Sequence, residues 1–472
     1  MKTTRTFLSV GGLLALATVA PALGLQTTAC SKDEPPPASQ NPIKIGVSAA
    51  LDGPYGGTGQ GIRAGIRAAA AVINARGGVL GRPIQLLEED DKSSNPDRDG
   101  SRLLKDIINK FRAEKVSAIL GPGATVQVGT AMEITYPNGG VKGAKIPSDK
   151  TPTLLISAWA TSPTLTDQWP AFPDRFLYRT PPSDFYQRQA LWKRMEEPTV
   201  LGDGGVGPIS CEHPFLVYAQ DPLGETYNQY GTEVKGLTDA YKSAVKTGQQ
   251  TEGYAATIDK FKKAPTTPGC VALVTYADVS AQVVRAFRQA NITTKFFATD
   301  ATFDSSFLDI VGDTRTLDMV GVEPDTIPED YPPFEEFKAI FRAHTPTADG
   351  GVLLDPPSYA SNAFDAMVLV AFAIQRSGKP DDPYEIRNSL VAVSRGEPAG
   401  SGVQVTPRGI DAGFSALASG SEINYQGASG PVDFDENGDV KAGYVKWIFK
   451  NGNFQVLSGN GSRYKPTDFS DQ

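Results

Sequence analysis

Two rhythms of apolar positions alternate along most of the chain. Short runs such as IKIGVSAA (43–50), RPIQLLEED (82–90), VSAILGP (116–122) and TPTLLISA (151–158) stop at glycine, proline or small residues and read as strands. Between them, GIRAGIRAAAAVINARGG, DRDGSRLLKDIINKFRAE and TVQVGTAMEITY place apolar residues at helical spacing. This β-α-β-α order predicts a parallel sheet wrapped by helices. The pattern restarts after RFLYRTPPSD (175–184). A helix FYQRQALWKRMEE precedes a strand FLVYAQ. Next come helix GETYNQYGTEVKGLTDAYKSA, helix YAATIDKFKK, strand CVALVTY, helix DVSAQVVRAFRQAN and strands KFFAT and LDMVGVE. Helices FEEFKAIFRAH and PSYASNAFDAMVLVAFAIQRSG follow, and the second is apolar nearly all round, as a helix buried between layers should be. Residues 394–430 are Gly/Ser-rich with weak periodicity and read as an irregular surface region. The end, PVDFDENGDVKAGYVKWIFKNGNFQVL, alternates around Asn-Gly turns and reads as hairpin.

The N-terminus breaks the rhythm. A basic start, MKTTR, leads into the apolar FLSVGGLLALATVAPALGL and then into small residues before Cys30, which predicts a secretory signal over residues 1–29. Cys30 after these residues resembles a bacterial lipoprotein processing site, although Thr27 stands where leucine is usual. The polar, Pro-rich SKDEPPPASQNP then reads as a tether over residues 30–42. Formal net charge is −8, and the signal segment contributes Lys2 and Arg5 and no acid, so the remainder is more acidic still. No basic stripe offsets this, which argues against a nucleic-acid partner. An exported chain meets an oxidising compartment, so Cys211 and Cys270, each beside a predicted strand, read either as a disulfide or as two separate buried thiols.

Catalytic and metal motifs are sparse. The two histidines, His213 and His344, are isolated, so neither a zinc site nor a Ser-His-Asp hydrolase is expected. The loop DGPYGGTGQGIRAG follows a strand and opens a helix, but Ile62 and Ala64 break both possible G-x-G-x-x-G registers. The glycines then read as room for close backbone approach. DFDENGDV imitates the start of a calcium loop, yet its twelfth position is Tyr444, so a tight Asn-Gly turn between strands is expected instead. No cofactor is expected. In FFATDATF, Asp300 ends a predicted strand. It reads either as a cap of the following helix or as a carboxylate presented to a ligand at the sheet end.

These segments carry a family resemblance. IKIGVSAALDGPYGGTGQGIRAGIRAAAAVINARGGVLGRPIQLLEEDD, AILGPG, PTLLISAWATSPTLT and GPVDFDENGDV are similar in order and spacing to the branched-chain amino-acid binding proteins, the type I solute receptors of ABC importers. The resemblance spans nearly all of residues 42–450. It implies an α/β fold of two similar lobes, each a parallel βαβ sheet flanked by helices, joined by a three-strand hinge and closing on a solute. Lobe I would take residues 43–179 and 325–430, and lobe II residues 180–324 and 431–472. The family pattern maps a carboxylate-binding side onto the Thr125 and Thr161 hydroxyls with backbone of Trp159 and Ala160. It maps an ammonium-binding side onto Tyr276 and Asp300. Leu223 and Thr58 stand where aromatics are common, with Tyr55 near enough to substitute for the second, so a leucine, isoleucine and valine preference does not carry over. The implied partners are an amino acid or related small solute, an ABC permease and, through Cys30, a membrane. An envelope sensor without a transporter and a nucleotide-dependent enzyme are the alternatives.

Overall fold

The computed structural model describes residues 41–52, 55–92, 100–136, 151–197, 199–200, 206–207, 211–230, 237–246, 251–313, 317–326, 328, 330–345 and 355–470. The expected signal segment and Cys30 lie outside these residues.

The first lobe opens with β1 (Ile43–Ala49), α1 (Gly56–Ala75), β2 (Ile84–Asp90), α2 (Gly100–Ala113), β3 (Ala118–Leu120), α3 (Thr125–Thr135), β4 (Leu155–Ser157), α4 (Thr164–Asp167) and β5 (Leu177–Arg179). Its five strands are all parallel, in the order β2-β1-β3-β4-β5. Successive residues feed opposite faces. Ala118 and Leu120 enter one core with Ile66 and Phe364, while Ile119 enters another with Phe111 and Met132. Both sheet faces are therefore covered, which is why these strands read as continuous apolar runs.

The second lobe begins with α5 (Asp184–Glu196) and a small two-stranded ribbon, β6 (Thr199–Val200) with β7 (Val206–Gly207). It continues through β8 (Pro214–Ala219), α6 (Pro222–Tyr230), β9 (Lys242–Val245), α7 (Ala255–Lys262), β10 (Cys270–Val274), α8 (Ala277–Gln289), β11 (Lys295–Ala298), α9 (Ser305–Val311) and β12 (Met319–Pro324). The chain then returns to the first lobe as α10 (Pro332–His344), α11 (Ala360–Ser377), α12 (Pro383–Arg395), β13 (Val403–Val405), α13 (Ile410–Ala418), β14 (Ile423–Gly427) and β15 (Gly430–Pro431). Finally β16 (Tyr444–Lys450), β17 (Asn453–Val456) and β18 (Arg463–Tyr464) complete the second sheet, in the order β17-β16-β12-β11-β10-β8-β9 with β18 on β16. Cys211 and Cys270 form a disulfide with Cα atoms 5.5 Å apart, at the end of β8 and β10 where Cys270 sits opposite Pro214.

Three expectations change. Residues 394–430 are not irregular: β13, α13 and β14 are built around buried Val405, Ile410, Phe414 and Tyr425. Asp365 on α11 anchors them, accepting from the Ala428 and Ser429 backbone N–H groups and from the Tyr425 hydroxyl. That anchor is remote in sequence, so local periodicity misses it. The long helix expected over 224–244 ends at Tyr230, and its last residues form the short edge strand β9. The Asn437-Gly438 turn is present, but strands do not flank it. The Asp435 carboxylate organises it, accepting from the Asn437 and Asp439 N–H groups.

The buried helix α11 is as expected, with every residue from Ala360 to Ile374 buried. It packs on α1 closely enough that a Cβ at Gly65 would lie 2.1 Å from the Ala360 carbonyl oxygen. Its first turn also grips the crossings between lobes. Asn362 exchanges two hydrogen bonds with Thr180, at 2.9 and 3.0 Å, and the Ser361 hydroxyl donates to the Thr326 carbonyl at 2.9 Å. The three crossings lie side by side: Arg179 N–H donates to Gly438, and Asp325 N–H to Gly443. Val432, Phe434 and Val440 still belong to the first-lobe core and Tyr444 to the second, so the last crossing lies at 441–443 rather than at 430.

A buried ion pair braces this junction. Arg179 grips Asp439 bidentately at 2.6 and 2.9 Å, with both side chains almost fully buried, and Arg179 holds the Asp439 carboxyl below the usual range against the opposing effect of burial. Removing one partner strands the other charge. Asp439→Ala is therefore expected to destabilise the protein by about 3–5 kcal/mol. Urea unfolding followed by tryptophan fluorescence measures this, and a loss below about 1 kcal/mol would show that Arg179 finds compensation elsewhere.

Candidate functional site

The C-terminal ends of the parallel strands in both lobes point to one seam, the position where α/β sheets present ligands. From the first lobe come Ala124 and Thr125 at the start of α3, and Trp159, Ala160 and Thr161 in the loop after β4. From the second come Leu223 on α6, Tyr276 at the N-cap of α8, and Asp300 and Ala301 after β11. Together they line a cavity of about 30 Å³. That is room for little more than water-sized groups, so the lobes are closed on each other here.

Two residues named from the sequence stand outside this lining. The Tyr55 ring packs behind it, 5.4 Å between centroids from both Trp159 and Tyr276. Thr58 reaches across the seam, its hydroxyl donating to Asp304 at 3.3 Å. The glycine loop serves α1 itself: a Cβ at Gly59 would lie 1.7 Å from the Ala50 carbonyl oxygen. Metal-binding clusters of three or more suitable side chains are absent among the described residues.

Of the two readings of Asp300, the structure does not show the cap. Asp304, not Asp300, caps α9, accepting from Ser306 N–H at 2.9 Å. Ala124 occupies the N-cap of α3, while the Thr125 hydroxyl one residue later accepts from Ser162 N–H at 3.5 Å. The backbone N–H groups of Trp159 and Ala160 both donate to the Ser157 hydroxyl, at 3.4 and 3.0 Å. They are thus engaged within the loop, whereas the first-turn N–H groups of α3 have no intrahelical acceptor.

Asp300 is held from two sides. Gln187 on α5 donates to Oδ1 at 2.5 Å, and Tyr359, ahead of α11, donates to Oδ2. Gln187 is itself oriented by the Tyr227 hydroxyl at 3.1 Å. Around this centre the seam is rich in acid. Burial pushes Asp184, Asp221, Asp300 and Glu323 above the ordinary carboxylate range. Asp184 is fully buried, and its oxygens make no well-formed hydrogen bond among the described residues. Burial first, then the neighbouring Asp300, push it up to about 8, against a smaller opposing pull from the Thr161 hydroxyl. The nearby Arg179 is already taken by Asp439.

Sequence reasoning passed over Gln187, Tyr359, Asp184 and Ser157. Asp184 follows PPS and looks like a simple helix-start acid, and Tyr359 looks like the first core residue of an apolar helix. Asp300, the shared partner of Gln187 and Tyr359, lies 59 or more residues from each, beyond any local pattern.

Comparison with known proteins bears on the family and the fold. Residues 42–437 match the family model described as periplasmic binding protein. A Leu/Ile/Val-binding protein homolog 2 from Brucella abortus is 24% identical over 356 residues, covering 74% of this chain and 82% of that protein. Among solved structures, a leucine binding protein from Thermotoga maritima superposes with TM-score 0.65 at 18% identity, over 90% of this chain and 100% of that one. A branched-chain amino acid transporter substrate binding protein from Streptococcus pneumoniae, in complex with isoleucine, gives TM-score 0.64 at 18% identity, over 88% of this chain and 99% of that one.

The raised Asp184 carboxyl sets a pH dependence. Folded, it keeps its proton up to about pH 8, whereas an unfolded aspartate releases it near pH 4. Between those values the folded state binds more protons, so stability falls as pH rises. Asp184→Asn, fixed in a neutral form, is expected to flatten the fall in melting temperature between pH 5 and 8. An unchanged slope would contradict the assignment.

Proposed function

The chain belongs to the periplasmic binding protein family, and from that premise we propose that it is a receptor whose lobes close on an amino acid or closely related small polar solute. Family membership places its work outside the cytoplasm, and its relatives are solute-binding proteins rather than enzymes. The observation that carries the proposal is the pairing of unlike walls in one cavity. A partly buried carboxylate and a phenol, Asp300 and Tyr276, face it from the second lobe. The hydroxyls Thr125 and Thr161 and the start of α3 face it from the first.

These walls suit the two ends of a zwitterion. The solute ammonium meets Asp300, because a cation leaving water needs a charged or hydrogen-bonding partner. Its carboxylate meets the Thr125 and Thr161 hydroxyls and the N-terminus of α3, where backbone donors and the helix dipole favour an anion. Trp159 and Leu223 bound the side-chain end. The name of the Brucella relative and the isoleucine of the pneumococcal protein support the amino-acid class. Bound solute touches both lobes and so favours the closed state, the form an importer would receive. Delivery to an ABC permease and attachment to a membrane through Cys30 complete the proposal.

A thermal-shift panel tests the solute class. Common amino acids, their amides, their deaminated acids and urea are each added to the purified protein. A solute that binds only the folded state raises the melting temperature. Amino acids are expected to raise it and their deaminated forms are not. Stabilisation by deaminated acids alone would contradict an ammonium site.

A further inference from the structure

A second cavity, of about 600 Å³, lies on the first lobe and shares no lining residue with the seam. Its walls are the last turn of α11, one side of α12, the loop after α12, and Phe172 and Pro173 ahead of β5. Arg376 lies near the end of α11 and Tyr359 at its start, about 25 Å apart at helical rise, so the cavity is remote from the seam. Three arginines line it, in a chain whose formal charge is −8. Arg376 is neutralised by Glu422 at 2.8 Å and Glu397 at 2.9 Å. Arg387 and Arg395 have no carboxylate within ion-pair distance among the described residues; Asp174 and Asp433 reach them only through space. Arg387 is buried, stacks 4.9 Å from the Phe176 ring centroid, and donates to the Pro173 carbonyl and the Asn388 side chain. Arg395 makes one hydrogen bond, to the Phe434 carbonyl at 3.2 Å. A cation at the C-terminus of α12 complements the helix dipole, which accounts for Arg395. It does not account for Arg387, near the start of the same helix. Arg387, Val391 and Arg395 are spaced four apart and form one row on α12, with apolar Val391 and Ala392 between the two charges.

We propose that this cavity is a second ligand site, taking an organic oxyanion: a carboxylate or phosphate carried on a small apolar or aromatic body. The planar guanidinium fork matches either oxyanion, and both arginines keep N–H donors after their protein bonds are counted. A buried cation without a counter-ion is costly, and a bound anion removes that cost at Arg387. The apolar body rests on Val391, Ala392 and Pro398, against the exposed Phe172 ring. A neutral solute gains nothing from the arginines, and a cation is repelled by them. The site stands apart from the amino-acid reading given above, because none of its residues lines the seam.

Titration calorimetry of the purified protein at constant ionic strength tests this, with phenyl phosphate, phenylacetate, inorganic phosphate and benzyl alcohol as probes. At least one of the two aromatic anions is expected to bind, and the pair separates a phosphate site from a carboxylate site. Inorganic phosphate and benzyl alcohol each carry half of the chemistry and are expected to bind about tenfold more weakly or less. Arg395→Gln removes a side chain that makes one hydrogen bond, and should weaken the aromatic anion about tenfold. Arg387→Gln should weaken it as well. Should that variant fold poorly for want of its ring stacking, Arg395→Gln still decides. No binding of either aromatic anion at millimolar concentration, or binding that survives Arg395→Gln, would overturn the proposal. Binding lost in Asp300→Asn but kept in Arg395→Gln would place the anion in the seam and overturn it too. Inorganic phosphate binding as tightly as the aromatic anions would leave a simple ion site and overturn the organic ligand.

Discussion

A carboxylate placed where two lobes meet must find partners when the lobes close, because burying it unpaired is costly. Asp300 is that carboxylate, and much of the molecule is arranged around it. Strand β11 delivers it to the seam, Gln187 and Tyr227 fix it within its own lobe, and Tyr359 meets it from the other. The acids around it, Asp184 and Glu323, are burdened by the same burial and by its charge. Under the proposed amino-acid reading, a cationic group on the solute relieves several of these unfavourable terms at once, and preference for an ammonium follows from the acids already buried at the seam.

Closure also needs a hinge. Three short crossings lie side by side, tied to one another by backbone hydrogen bonds and to α11 by Thr180 and Thr326. The Arg179–Asp439 pair fixes the first-lobe side of that junction in a dry setting where misplacement would strand a charge. Each lobe keeps its own apolar core, so relative motion at the crossings leaves the packing inside either lobe intact.

The alternation of strands and helices was legible because parallel strands covered on both faces are continuous apolar runs. Among the seam residues, Asp300 was legible as an acid ending a predicted strand, whereas Thr125, Thr161, Leu223 and Tyr276 were mapped by the family resemblance. Other features were not legible. Strand β9 is four residues long and lies at a sheet edge, too short to show a period. The ordering of β13 to β14 depends on Asp365, whose partners lie more than sixty residues away in the case of Ala428 and Ser429. Gln187 and Tyr359 matter only because folding brings them to one carboxylate. The backbone of Trp159 and Ala160 looked open for a ligand, but the Ser157 hydroxyl accepts from it within the same loop. Such commitments within a loop depend on its turn geometry, which residue type alone does not set.

In the proposed receptor, Asp300 carries the charge recognition. Titration calorimetry of Asp300→Asn tests it most directly, using the amino acid that stabilises the native protein best. Binding is expected to weaken more than tenfold with secondary structure retained, the scale of a desolvated, charge-assisted hydrogen bond of about 1.5–3 kcal/mol. Native affinity in that variant would contradict it.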